Sequence, residues 1–443
     1  MAAKQWCFVR GGVSVGGPVI VTADFIVKER LMRALSLIFL LMLTSTASLA
    51  KDATDELIAR ARAIHERVIT VDTHVDIPPD FATAAYDPMK PGPRGQQVHI
   101  PTMIEGGLDA TFIIVFVGQG PRTDAGYAKA LSDAFVKFAA IHRLTSDMYP
   151  DQIQLARTAE DVRRIDAAGK KVALIGIENG YPMGKDLRLL NQFYDYGARY
   201  FGLIHNGHND LGDSAVPSRR LKEADEEHGG LTDLGRQVVR RLNELGIMAD
   251  VSHASKQTTL DIIAESKAPV IASHSSLKGV YDHPRNMSDE ELLAIANSNG
   301  VVQVVAFDSY LRAVPQGKQD ATAKLWEDMG IKSFGDFRRL SEEDLKVYDA
   351  RVAEIELEFP KAGVKDLADH IDYAVGKVGL EHVGIASDFN GGGGIAGWSD
   401  ASETFNVTLE LVKRGYTEDQ IRLLWGDNLL RVLADVEAYA KNL

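Results

Sequence analysis

Cysteine is all but missing from this sequence: there is one, Cys7, in a chain of 443 residues. That excludes a disulfide framework. Cys7 also lies in a segment expected to be removed, so the mature chain has no thiol nucleophile. A core of this size needs no disulfide staples, and export is compatible with the count. Positive charge is in deficit too. The formal net charge is −13, whereas a nucleic-acid binder carries a basic face. Small anionic ligands are not excluded, because a pocket can differ in sign from the whole. Low-complexity tracts and internal repeats are absent. The apolar run Leu35 to Leu43 is too short to span a bilayer comfortably.

What the N-terminus does contain reads as a secretion signal. Lys28, Arg30 and Arg33 precede the apolar run, and Ser48-Leu49-Ala50 has the small-x-small form of a cleavage site. Residues 1–50 are therefore expected to be leader and signal peptide, with Met32 a natural start. Residues 51–443 are expected to form a single domain, exported to the periplasm or secreted. The alternative is a retained N-terminal anchor. Residues 1–50 hold five of the 49 basic and two of the 62 acidic residues, which leaves the mature chain at about −16. No cysteine follows the apolar run, so neither a lipid anchor nor any other stable membrane anchor is expected after cleavage.

From residue 68 onward, short apolar runs alternate with helical patterns. The runs are 68–76, 111–117, 172–178, 200–205, 247–253, 269–274, 301–306 and 383–388. Helical spacing marks 54–67, 124–147, 186–196, 231–245, 256–266, 288–298, 364–378, 403–414 and 417–437. Continuous apolar strands separated by helices imply a parallel sheet covered on both faces. Eight of them predict an α/β fold of the (β/α)8, TIM-barrel type. Residues 308–362 are charged and lack a strand, and read as a helical insertion before the last helix–strand unit. The proline-rich stretch 77–101 reads as a loop walling the site.

Six of the runs end in a metal-capable or titratable side chain: His74 with Asp76, Glu178, His205, His253, His274 and Asp388. In a parallel barrel all strand C-termini meet at one rim, which is where active sites lie. One such residue is unremarkable as a structural hydrogen-bonder; six at equivalent places point to a metal hydrolase. His74, Asp76, Glu178, His253 and His274 are too many ligands for one catalytic ion with an open position. Two ions bridged by Glu178 accommodate them, one on His74 and Asp76, the other on His253 and His274. Nitrogen and oxygen ligands without thiolate suit zinc, with manganese or cobalt as substitutes. A metal-bridging hydroxide would be the nucleophile.

Several motifs occur in order: His74-Val75-Asp76, Gly176-Ile177-Glu178-Asn179-Gly180, Asp250-Val251-Ser252-His253, Ser273-His274-Ser275-Ser276, His283-Pro284-Arg285-Asn286 and Ser387-Asp388-Phe389-Asn390-Gly391. Together they resemble the membrane (renal) dipeptidase family of the amidohydrolase-like barrels. Gly426-Asp427-Asn428-Leu429-Leu430-Arg431-Val432 resembles that family's C-terminal signature, with Asp427 in place of a glycine. The resemblance spans about residues 55–437. It implies a dinuclear zinc dipeptidase with the same five ligands. It also implies His205 beside the scissile carbonyl, Arg285 binding substrate, and Asp388 as acid/base. Asn179 stands where the family has a second glycine. The disulfides and C-terminal lipid anchor of mammalian members do not transfer, while dimers are frequent in the family and a homodimer is compatible.

The roles follow from residue chemistry. His205 is the donor to the developing oxyanion. Asp388 moves the proton from water to the leaving amine, or else ligates a metal. Arg285 clamps the terminal carboxylate of a small dipeptide substrate, C-terminal D-residues included. His208 and Asn209 are candidates for lining the pocket, and Tyr310 for touching substrate or packing. Competing readings keep the metals and change the bond, to N-acyl amino acids, lactones or phosphotriesters, or bind without turnover.

Overall fold

Strands β2 (Ala110–Phe116) and β4 (Lys171–Glu178) are buried along almost their whole length. A strand with no polar face must be covered on both sides, and here helices cover it outside and side chains fill it inside. The computed structural model describes Met32 and residues 54–91, 96–332, 334–337 and 339–443. The signal segment and its cleavage site, Met32 apart, lie outside the described residues. Residues 60–443 form one compact unit.

The remaining strands are β1 (Val71–Asp76), β3 (Ile153–Leu155), β5 (Ala198–Gly202), β6 (Met248–Asp250), β7 (Ile271–Ala272), β8 (Val301–Val305) and β9 (Val383–Ala386). The pairing order is β1-β2-β4-β5-β6-β7-β8-β9, with β3 alongside β4, off that path. Every pairing between named strands is parallel. A bridge between Val75 and Phe389 brings the two ends of the path together, and the Asp76 N–H donates to the Phe389 carbonyl at 2.9 Å. The result is a nearly closed eight-stranded parallel barrel of the expected TIM type.

Helix boundaries follow local chemistry. The helix Asp233–Leu245 is capped by the Thr232 hydroxyl and ends at Gly246, whose φ of 80° only glycine adopts freely. Among the described residues of the insertion the regular elements are all helices, Asp308–Leu311, Gln316–Asp328, Phe334–Phe337 and Glu342–Glu358. Two long helices expected from periodicity are shorter. Asp124–His142 gives way to a π-helical turn at Arg143–Met148. The C-terminal pattern divides into Glu418–Arg422, a π-helical turn Leu423–Asp427 and Asn428–Lys441. At that turn Gly426 presses on the entry to β1, where an added Cβ would lie 2.7 Å from the Ile69 carbonyl oxygen and 3.0 Å from Val71 Cγ2. Strand β3 and the helices Ile100–Gly106 and Ala159–Ala167 escaped the periodic reading; β3, at three residues, is too short to repeat a pattern.

One register inside the barrel bears directly on the site. Ile114, Gly176, Tyr200 and Met248 are paired across β2, β4, β5 and β6. Gly176 leaves the space that the Tyr200 ring fills: a Cβ there would lie 2.2 Å from Tyr200 Cζ. The Gly176→Ala variant is expected to lose about 1–3 kcal/mol of stability by overpacking, read as a lowered urea midpoint with an unchanged slope. An unchanged midpoint would show that the Tyr200 ring moves aside freely.

Candidate metal centre

All six strand-end positions open on the same rim. His74 and Asp76 belong to β1 and Glu178 ends β4, while His205, His253, His274 and Asp388 follow β5, β6, β7 and β9 by two or three residues. Glu178 is the hub. His253 Nε2 lies 3.0 Å and His274 Nε2 3.3 Å from its Oε1, His205 Nε2 3.8 Å from the same atom, and His74 Nε2 3.6 Å from Oε2. His74 Nε2 is also 3.6 Å from Asp76 Oδ2 and 3.9 Å from Asp388 Oδ1. Three overlapping ligand groups result: His74, Glu178 and His274; Glu178, His205 and His253; His74, Asp76 and Asp388. The structure thus brings Asp388 and His205 as close to the centre as the five expected ligands.

Three imidazoles are oriented from behind. Tyr200 gives its hydroxyl proton to the Thr73 carbonyl, so His74 Nδ1, 3.0 Å away, must donate to the Tyr200 oxygen. His253 Nδ1 faces Asn206 Oδ1 at 3.0 Å, and His274 Nδ1 faces Ser273 Oγ at 2.8 Å. Placing each ring's proton on Nδ1 leaves its Nε2 lone pair pointing into the centre. His253 Nε2 and His274 Nε2 then face each other at 2.9 Å with no proton to share. Among the described residues the buried His74 Nε2 has no hydrogen-bond partner. Facing lone pairs and an orphaned buried nitrogen are costly on their own and are what a divalent cation satisfies. His205 differs: among the described residues no acceptor meets its Nδ1, and its side chain is 20% exposed. It is the ring free to meet a substrate. The residues holding the rings, Tyr200, Asn206 and Ser273, were not singled out in the sequence. Only Ser273, next to His274 within a quoted motif, left a signal there.

The electrostatics agree with a cation site. Burial drives the His253 and His274 pKa values well down, and Arg285, His205 and His74 add to it, so both rings are neutral, as a metal ligand must be. Burial opposes the charge on Glu178, yet the surrounding imidazoles hold its pKa well below the usual carboxylate range. At His74 burial is outweighed by Glu178, Asp76 and Asp388, which hold a proton on the ring; a metal competes for that nitrogen. Burial first, then Asp76 and Glu178, push Asp388 well up. Asp72, Asp76, Glu178, Asp250 and Asp388 are all buried at this end of the barrel.

The backbone is held in unusual conformations here. Asn179, His253, Asp388 and Asn390 have φ values of 79°, 69°, 57° and 64°. Such strain persists only where the surroundings enforce it. Gly391 lies against the acids: a Cβ on it would stand 2.2 Å from Asp388 Oδ1 and 2.5 Å from Asp76 Oδ2.

Arg285 is buried, and one of its terminal nitrogens donates to the His274 carbonyl at 3.3 Å. Its Nε has no partner, and among the described residues no carboxylate pairs with it. Its guanidinium lies 5.5 Å from the Tyr310 ring, which packs against Phe307 and His283. His208 turns out not to line the pocket. It is fully buried, bonded to the Ala224 carbonyl and the Ser214 N–H, and organises the loop behind the rim.

The family model for membrane dipeptidase (peptidase family M19) matches residues 58–443. The chain belongs to this family. It is 29% identical to Dipeptidase aclJ of Aspergillus oryzae, over 78% of this chain and 72% of that protein. Dipeptidase verJ of Clonostachys rogersoniana is 32% identical over 71% of this chain and 67% of its own length. Among solved structures, the probable dipeptidase PvdM from Pseudomonas aeruginosa is 35% identical with a TM-score of 0.76, covering 87% of this chain and 100% of that one. A metallopeptidase from Rhodobacter sphaeroides, 23% identical with a TM-score of 0.65 over 83% of this chain and 99% of its own, shares the fold. As an M19 protein the chain is a metallopeptidase of the dipeptidase type.

Gly391→Ala is expected to drive the Asp388 and Asp76 carboxylates apart. Metal content measured by inductively coupled plasma spectrometry falls, while the far-UV circular dichroism spectrum is retained. Full metal content would show that the Gly391 loop yields instead.

Proposed function

We propose that the chain is an exported dinuclear zinc dipeptidase. The observation that carries this reading is the convergence of four imidazoles on one buried carboxylate, with three Nε2 lone pairs fixed inward. His74 and Asp76 would hold one ion, His253 and His274 the other, and Glu178 both. Zinc suits this nitrogen and oxygen set, with manganese or cobalt as substitutes. Bound there, the ions would supply water activation and the Lewis acidity that peptide hydrolysis needs.

The chain's own residues supply the rest. Arg285 takes the substrate's terminal carboxylate; the unpaired buried guanidinium supports this role. Its position against His274 sets the scissile carbonyl over the centre. His205 donates to the carbonyl oxygen as charge develops on it. Asp388, which burial, Asp76 and Glu178 push well above the usual carboxylate range, would take the proton of the attacking water and deliver it to the leaving amine. Beyond Asp76 a cleft of about 540 Å³ runs between the rim and the insertion, lined among others by Gln97, Lys318, Tyr348 and Gly392. It gives room for the amino-terminal residue. The Rhodobacter sphaeroides relative was crystallised with a phosphinate mimic of L-Ala-D-Ala, which supports including C-terminal D-residues among the substrates. Export rests on the signal-like segment. Among the described residues no helix is long and apolar enough to cross a membrane.

Metal content per chain, together with turnover of a small L,L and L,D dipeptide set, tests the reading. Two ions and dipeptide cleavage are expected; turnover only of lactones, N-acyl amino acids or phosphotriesters would overturn it. Arg285→Ala is expected to cost about 2–5 kcal/mol in kcat/KM on dipeptides, and far less on the corresponding dipeptide amides. Equal losses on both would remove the carboxylate clamp. Glu178→Gln is expected to empty the site of metal and abolish turnover together.

A further inference from the structure

Two buried aspartates outside the proposed ligand set make the same contacts at two different seams of the barrel. At the β1–β9 seam, Asp72 Oδ1 accepts the His74 N–H at 3.2 Å and the Ser387 N–H at 2.9 Å, while Oδ2 accepts the Ser387 hydroxyl. At the β6–β7 seam, Asp250 Oδ1 accepts the Ser252 N–H at 3.0 Å and the Ser273 N–H at 2.9 Å, while Oδ2 accepts the Ser273 hydroxyl at 2.6 Å. The pattern matches atom for atom. In each, an aspartate binds the amide two residues on, then the amide and hydroxyl of the serine that directly follows the neighbouring strand.

The residues beside each clasp are site residues. Ser387 precedes Asp388, and Asp72 binds the amide of His74 itself. Ser273 precedes His274, and Asp250 lies three residues before His253. The first clasp therefore sets the backbone of the His74 and Asp388 pair, the second that of the His253 and His274 pair. In the second, the serine also fixes a tautomer. Its one proton goes to Asp250, so it can only accept from His274 Nδ1 at 2.8 Å. All four clasp residues are buried, and the Ser387 hydroxyl also accepts the Phe389 N–H at 3.0 Å.

We infer that Asp72 with Ser387, and Asp250 with Ser273, are paired positioning devices, each serving one of the two metal positions. This rests on the dinuclear reading above. The strands β7 and β9 are only two and four residues long, so ladder hydrogen bonds alone fix their ends weakly. The clasps supply the missing anchorage where the ligands leave the strands. A carboxylate behind a hydroxyl behind an imidazole also makes that imidazole a better donor to a cation.

The test is zinc stoichiometry and stepwise zinc affinity, measured on the full chain by competition with a chromophoric chelator. Wild type is expected to bind two ions. Ser273→Ala and Asp250→Asn each weaken one step about 10–100-fold and leave the other in place. Ser387→Ala and Asp72→Asn do the same, and Ser273→Thr, which keeps the hydroxyl, restores the first loss. The double variant Ser273→Ala/Ser387→Ala weakens both steps. A double variant that still weakens only one step, or single variants that weaken both equally, overturns the inference. A wild type that binds fewer than two ions overturns the dinuclear reading and the inference with it. Imidazole ¹⁵N shifts of the zinc-loaded wild type give a check that needs no variant: a protonated Nδ1 on His274 is expected, and a protonated Nε2 overturns the second clasp.

Discussion

A carboxylate buried among imidazoles is the interaction on which this molecule depends. Glu178 sits at the mouth of the barrel with its oxygens turned toward four histidine nitrogens rather than toward water. Taking a carboxylate out of water costs several kcal/mol even after relaxation. The rings offset part of that, but each brings a lone pair as well as a ring edge. With their Nδ1 protons committed to Asn206 and Ser273, the Nε2 atoms of His253 and His274 offer Glu178 nothing to accept. Positive charge at the centre resolves both problems, which is why the arrangement makes chemical sense as a metal centre and poor sense as a hydrogen-bonded core.

The fold's contribution is to hold that unfavourable arrangement in place. Parallel strands deliver their C-terminal ends to one rim, and the residues there are forced into left-handed backbone at Asn179, His253 and Asp388. Gly391 allows a loop to press on Asp76 and Asp388, and Gly176 makes room for the ring of Tyr200 that orients His74. The same rim divides its labour. One side carries Arg285, stacked near Tyr310 and unpaired by any described carboxylate; the other opens at Asp76 into the cleft beneath the insertion. Under the proposed reading the terminal carboxylate of a dipeptide meets the first and its amino-terminal residue the second.

Much of this was legible in the chain. Strands 111–117 and 172–178 could be read because a strand buried on both faces has no polar alternation to confuse it. The convergence of His74, Glu178, His253 and His274 followed from strand ends alone, since a parallel barrel sends them all the same way. The helix after residue 417 was misjudged because periodicity cannot register the π-helical turn forced where Gly426 meets β1. Strand β3 was missed because three residues do not make a pattern. His208 was only a candidate for lining the pocket, because proximity in sequence to His205 says nothing about which way a loop turns its side chains.

The amino-acid sequence by itself determined which chemical groups are available and on which strands they end, because apolar runs and helical spacing are local properties of the chain. Tertiary structure alone decided which nitrogen of each histidine faces inward. That depends on acceptors contributed by other strands: Tyr200 for His74, Asn206 for His253, and Asp250 acting through Ser273 for His274. It also decided that Asp388 and His205 stand as near the centre as the ligands do. No spacing in a sequence encodes such a distance, since it is set by how closely the seams of the barrel are drawn together.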